Sequence, residues 1–291
     1  MLGRSVMAEF EHHPPGSVVG AGYSRLKPGM IQMDLTQADQ VISTLDALRP
    51  TVIIHAAAER RPDVSENEPE RTRLLNVDAT ATLAGWAHKN KAWLILISTD
   101  YVFDGKSPPY SVMAKPAPIN GYGASKLAAE IAVQSAAPSA AILRVPILYG
   151  PIERLDESAV TVIVQAMLLA KKRGTPVEMD HWAMRYPTFT GDVAVVLRQM
   201  LERHARGQAL SGIYHWSGIE AMTKYDMALA CAPLIGLEPA RVKPLVDPPQ
   251  GTPRPKDCHL DCSRLTTMGI GQQTLFRAGI KRVIAPFLVS H

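Results

Sequence analysis

Three strongly apolar runs, Thr51 to Ala58 (TVIIHAAA), Ala92 to Ser98 (AWLILIS) and Ala140 to Leu148 (AAILRVPIL), are separated by helix-length segments. A strand with one face in water alternates polar and apolar residues, whereas a continuous run suits a strand covered on both faces. Such runs alternating with helices leave one economical solution, a parallel sheet with helices on both sides. The intervening segments fit it. Val41, Ile42, Leu45 and Leu48 follow Thr36, read as a helix cap, and stop at Pro50; 73–88 is rich in Ala and Leu; 122–134 is again helical.

The beginning is unusual. Leu2, Val6 and Phe10 have helical spacing, ended by Pro14-Pro15-Gly16, before the short apolar strand Ser17 to Tyr23 (SVVGAGY). A doubly wound Rossmann sheet normally opens with a central strand and a glycine-rich turn, whose amides and following helix hold a pyrophosphate. Here Gly3 would be the last glycine of that turn, so either the fold starts with a helix or the chain is shortened at its N-terminus. The preferred expectation is a doubly wound parallel sheet lacking its first strand. After Gly150 the pattern becomes irregular and richer in Pro, apart from a helix expected over about 158–172. We therefore expect a dinucleotide-binding domain over 1–150, with a segment of about 188–217 returning to it, and a smaller α/β domain over 151–291.

Composition excludes several classes. The 31 basic and 27 acidic residues are interspersed for a net charge of +4, so no clustered basic face for nucleic acid is implied. No apolar stretch reaches membrane-spanning length. Cys231, Cys258 and Cys262 cannot all pair with one another and fit no standard zinc spacing, so no metal is expected and core thiols in a reducing compartment are. A cytoplasmic protein, with a nuclear location also open, is the expectation.

Tyr122 and Lys126 lie four apart on a predicted helix, so the ammonium can approach the phenol and lower its pKa. A phenol so tuned suits proton transfer beside a hydride transfer. Ser98 and Thr99, at a strand's carboxyl end, offer hydroxyls to a substrate carbonyl. After the 17–23 strand, Tyr23, Ser24 and Arg25 include no acid for the ribose hydroxyls, and Arg25 favours the 2′-phosphate of NADP. Asp34 and Leu35 sit where a turn can frame adenine. Ala56 ends the next strand with small neighbours, and Arg60 either contacts cofactor phosphates or pairs with Glu59 or Asp63. Met179-Asp180-His181-Trp182 with Arg185, and His215-Trp216, read as packing features rather than catalysts.

Ser98 to Gly105 (STDYVFDG), the Tyr122/Lys126 pair and Leu143 to Gly150 (LRVPILYG) resemble the extended short-chain dehydrogenase/reductase superfamily, in its dTDP-4-dehydrorhamnose reductase-like branch. AAERRPDVSENEP (57–69), LNVDA (75–79), ESAVTV (157–162), HWSG (215–218), MTKYDMA (222–228) and LDCSRL…GIGQ (260–272) resemble, more narrowly, the beta-subunit family of methionine adenosyltransferase II. The resemblance runs from Leu2 to about Leu288. It implies NADP contacts at Tyr23, Ser24, Arg25, Asp34, Leu35, Ala56, Arg60, Tyr122, Lys126 and Leu148, with Ser24 standing where the family usually has a basic residue. It implies reductase-like Thr99, Tyr122 and Lys126, possessed by a non-catalytic regulatory subunit whose partner is the catalytic alpha subunit that makes S-adenosylmethionine. It also implies the alternative, an NADPH-dependent reductase of a nucleotide-linked 4-keto sugar. The ending at Val289-Ser290-His291 is shorter than the tail with which the family engages its partner.

Overall fold

The computed structural model describes residues 1–11 and 17–288; the expected stop at Pro14-Pro15-Gly16 and the ending at 289–291 lie outside the described residues. Helix α1 (Leu2–Glu9) precedes β1 (Ala21–Gly22), β2 (Ile31–Gln32) and α2 (Ala38–Leu48). Next, β3 (Val52–His55) leads through α3 (Pro62–Asn67) and α4 (Pro69–Arg73) into one π-helical turn (Leu74–Asp78) and α5 (Ala79–Lys89). Strand β4 (Trp93–Thr99), α6 (Gly121–Ala136) and β5 (Ala141–Val145) follow. Beyond them come β6 (Leu148–Tyr149), α7 (Thr161–Arg173), β7 (Val177–Asp180), β8 (Thr188–Phe189), α8 (Thr190–Ala205) and β9 (Gly212–His215). The chain continues through α9 (Lys224–Cys231), β10 (Val242–Leu245), α10 (Ser263–Thr266) and α11 (Phe276–Leu288).

Every strand pairing is parallel. The main sheet runs β3-β4-β5-β9, and β1-β2 forms a separate pair. The gap in the doubly wound order therefore falls between β1 and β3, where the sequence pattern lacks a strand. All seven residues of β4 are buried. Its alternate residues separate cleanly: Trp93, Ile95 and Ile97 join a core with Leu2, Val6 and Phe10 of α1 and Val193 and Leu197 of α8. Leu94 and Leu96 join a second core with Val41 and Leu45 of α2, Leu83 of α5 and Val133 of α6. Period-two side-chain alternation thus explains why an unbroken apolar run is needed.

A third core, built from α7, α9 and α11 around the β7-β10 pair, gathers Ile163, Met167, Met227, Val242, Ile280 and Ile284. Residues 212–215 return to the main sheet as β9, beside β5. Two local expectations differ from the structure. The strand expected over 17–23 is hydrogen-bonded as a strand only at Ala21–Gly22. Thr36 does not cap α2; Gln37 holds the N-cap position, and both the amide and the hydroxyl of Thr36 donate to Asp34 Oδ1, at 2.9 and 2.7 Å. That local ring supplies Thr36 with a partner before the helix begins.

One glycine fixes how α6 meets the end of β4. A Cβ on Gly123 would lie 2.2 Å from the Tyr101 carbonyl oxygen and 3.0 Å from the Pro118 Cβ. Alanine normally gains about 1 kcal/mol over glycine in a helix. Gly123→Ala should nevertheless lower the urea midpoint by an equivalent of about 1–3 kcal/mol, because backbone must move to admit the methyl. A midpoint that stays level or rises would show that the close approach is not a constraint.

Candidate functional site

Thr99 ends β4 in extended conformation, and Tyr122 occupies the first turn of α6, whose N-cap Asn120 accepts from Gly123 N at 2.9 Å. That cap places the Tyr122 phenol near Thr99, whose side chain acts to lower the phenol's pKa. The Thr99 hydroxyl also donates to Asp100 Oδ1 at 3.0 Å and accepts from Tyr101 N at 3.2 Å. Burial pushes Asp100 up to about 6, against the pull of Arg185.

Lys126 is arranged differently from the expectation. Its ammonium is buried one turn further on and donates to the Ile97 carbonyl at 2.8 Å. Burial brings its pKa down to about 8, with Glu130 acting in the opposite direction. The Tyr122 phenol is pushed well above its ordinary value, chiefly by burial, and the cation that bears on it is Arg60 rather than Lys126. Ser98 likewise does not offer its hydroxyl to a ligand, because it donates to Glu130 Oε1 at 2.5 Å. Glu130 also receives Arg144 Nε at 2.9 Å and Nη2 at 2.6 Å, making a pair in which both side chains are 1% exposed. Under the site, then, lies a buried Ser98–Glu130–Arg144 clamp tying β4, α6 and β5 together. The sequence reading missed it because its members stand 14 to 46 residues apart.

Of the expected cofactor residues, Tyr23, Ser24, Arg25, Asp34, Leu35, Ala56 and Arg60 follow the carboxyl ends of β1, β2 and β3, the edge at which open α/β sheets take ligands, while Tyr122 and Lys126 stand on α6 and Leu148 in β6. Tyr23, Ser24 and Arg25 follow β1 and are exposed. The Asp34 carboxylate is engaged by Thr36, and Leu35 packs against the α2 core. Ala56 follows β3, and both it and Leu148 of β6 lie against the core beneath α1. Arg60 takes neither anticipated partner: Glu59 binds Arg61 at 2.6 Å, Asp63 binds Arg254 at 2.9 Å, and Arg60 donates to the Glu157 carbonyl. The Glu157 carboxylate is held by Arg4 and, at 3.2 Å, by Arg25. Three arginines from three separate elements thus converge on Glu157. Neither Arg4 nor Glu157 was singled out from the sequence, since nothing local marks them.

Asn76, at the centre of the π-helical turn, is a further residue that only the structure reveals. Its amide receives Glu59 N at 2.8 Å and donates to Glu59 O at 2.9 Å and Ser125 Oγ at 3.0 Å, so it holds the loop after β3 against α6. A π turn redirects one side chain from its helical register, and here that side chain reaches the site wall. Elsewhere, His215 is fully buried beside Arg144, which with burial holds it down to about 4. No group of three potential metal ligands occurs among the described residues, and none of their helices is long and apolar enough to cross a membrane.

The residue set fits a nicotinamide dinucleotide: no acid follows β1 directly, Arg25 and Arg60 follow β1 and β3, and Ala56 to Ala58 leave the backbone approachable. Space beside the start of α1 is open, as a Cβ on Gly3 would meet nothing within 4 Å.

Residues 1–289 match the family described as RmlD substrate binding domain. A dTDP-4-dehydrorhamnose reductase of Mycolicibacterium smegmatis is 31% identical over 91% of this chain and 78% of its own. A crystal structure of the Bacillus anthracis dTDP-4-dehydrorhamnose reductase in complex with NADP superposes with a TM-score of 0.77 at 26% identity, covering 92% of this chain and 97% of that one. Methionine adenosyltransferase 2 subunit beta of Xenopus tropicalis is 47% identical over 99% of this chain and 86% of its own length. The chain belongs to the reductase-like RmlD family and, within it, to the methionine adenosyltransferase 2 subunit beta group.

Proposed function

We propose that this chain is a non-catalytic, NADP-binding regulatory subunit of methionine adenosyltransferase that binds the catalytic alpha subunit and modulates S-adenosylmethionine synthesis, acting in the cytoplasm with a nuclear location also open. The 47% identity to a beta subunit over 99% of the chain carries this reading. In it, residues 1–150 and about 188–217 hold the cofactor and 151–291 form the smaller lobe. Tyr23, Ser24, Arg25, Asp34, Leu35, Ala56, Arg60, Tyr122, Lys126 and Leu148 are the cofactor residues. Regulation works by linkage: whichever state of the catalytic subunit binds this chain better becomes more populated, and ligands of that state bind this chain's partner more tightly in return. No chemistry in this chain is required.

The placement of Tyr122 near Thr99 favours a second reading, a reductase of a nucleotide-linked 4-keto sugar. Bound nicotinamide would supply the hydride. Thr99 would orient the carbonyl and Tyr122 would give its proton to the carbonyl oxygen. The raised phenol supports the regulatory reading, because the lysine expected to keep Tyr122 acidic is committed to Ile97.

Calorimetric titration with NADPH, followed by an absorbance assay with a dTDP-linked 4-keto sugar, separates the two. The regulatory reading expects binding without NADPH consumption. Turnover that disappears in Tyr122→Phe would contradict it.

A further inference from the structure

The geometry points to Glu157 as a resident counter-anion that occupies the arginine cluster in place of a phosphoryl group and must be displaced when a phosphorylated ligand enters. This inference rests on the cofactor reading above and adds a gate to the same site. Arg4 comes from α1, Arg25 from the loop after β1 and Arg60 from the loop after β3, all at the ligand-collecting edge of the sheet. Their common partner comes from the other lobe, in the 3-10 turn Leu155–Glu157 that leads into α7. Arg4 and Arg25 hold its carboxylate, Arg4 also reaches Glu153 at 3.3 Å, and Arg60 holds its main-chain carbonyl.

The Glu157 side chain is 7% exposed whereas that of Arg25 is 66% exposed. A carboxylate is thus drawn inward by cations that remain open to solvent. Burial works to raise its pKa, yet Arg4 and Arg25 outweigh burial and leave it below the ordinary carboxylate value. It is therefore ionised at neutral pH and competes directly for the guanidinium groups. A phosphomonoester dianion or a pyrophosphate carries more charge and more acceptor oxygens than one carboxylate, and arginine pairs with it in bidentate fashion. Such a ligand can win the exchange. Glu157 ends the 3-10 turn Leu155–Glu157, a few residues before α7, so its release frees this segment from the arginine cluster.

Titrations with NADPH and with inorganic pyrophosphate, on wild type, Glu157→Gln and Glu202→Gln, test the gate. Glu157→Gln is expected to bind both about tenfold more tightly than wild type, and Glu202→Gln, whose carboxylate pairs with Arg198 away from the cluster, to bind them like wild type. Equal or weaker binding by Glu157→Gln, or an equal gain in both variants, overturns the gate. If NADPH binds to none of the three while pyrophosphate still shows the tenfold gain, the gate stands and the cofactor reading falls. Hydrogen exchange on the wild type gives a readout that does not depend on a variant folding. Saturating NADPH or pyrophosphate should raise exchange across residues 155–161, and unchanged exchange with ligand bound overturns the gate.

Discussion

Glu130→Ala is expected to destabilise the chain by about 3–5 kcal/mol, the cost of stranding a charge in a protein interior. Arg144 is 1% exposed and has no route to water. Without Glu130 it keeps only a long contact to His215 Nε2 at 3.5 Å and the face of Phe103, 5.1 Å from its guanidinium carbon. His215 is held neutral at physiological pH and supplies no countercharge. Ser98 loses its acceptor as well. Urea unfolding measures the effect: the midpoint should fall while the slope stays constant. Replacing both partners by apolar residues, Glu130→Leu with Arg144→Met, should recover most of the loss, since no charge is then left behind. A single-variant cost below about 1 kcal/mol would mean that water reaches Arg144 and the clamp is not buried.

The second large effect has the opposite sign. Lys126 has its pKa brought from 10.5 to about 8 by burial. The folded chain therefore prefers the neutral amine, and below pH 8 folding must bury a proton-bearing lysine. The gap between the two values is worth about 3 kcal/mol against the folded state at pH 7. Lys126→Met removes that penalty and also the hydrogen bond to Ile97, worth about 1 kcal/mol. A net gain of about 2 kcal/mol at pH 7 is expected. The pH dependence checks the sign. Between about pH 8 and 10.5 the unfolded chain holds a proton that the folded chain has released, so wild-type stability rises with pH there. Lys126→Met should flatten that rise. Loss of stability in the variant, with the rise intact, would show that Lys126 is charged and well paired in the fold.

Much of the scaffold was legible because it depends on short-range pattern. The β-branched run 51–58 becomes β3, AWLILIS becomes a wholly buried β4, and the helical spacing of Leu2, Val6 and Phe10 becomes α1 packed on α8. The break in the sheet between β1 and β3 follows from the same pattern. Strand ends were less legible: SVVGAGY keeps only two paired residues, since pairing depends on a neighbour that spacing does not show. The nearness of Tyr122 to Thr99 was legible because a helix repeat and a strand end are local features, and their roles stay proposals. The role of Lys126 was misjudged because four-residue spacing puts two side chains on one face without fixing which group each will meet. Glu157 could not be read from sequence at all. Its partners stand at 4, 25 and 60, and only the fold brings those four positions together.

The regulatory account is tested most directly by sedimentation velocity of this chain mixed with the catalytic methionine adenosyltransferase subunit, with and without NADPH. The account predicts a faster-sedimenting complex containing both chains, together with a changed apparent affinity of the catalytic subunit for its substrates. Two independently sedimenting species at every concentration, with the synthetase kinetics unaltered, would contradict it and leave the reductase as the better explanation of the Thr99–Tyr122 pair.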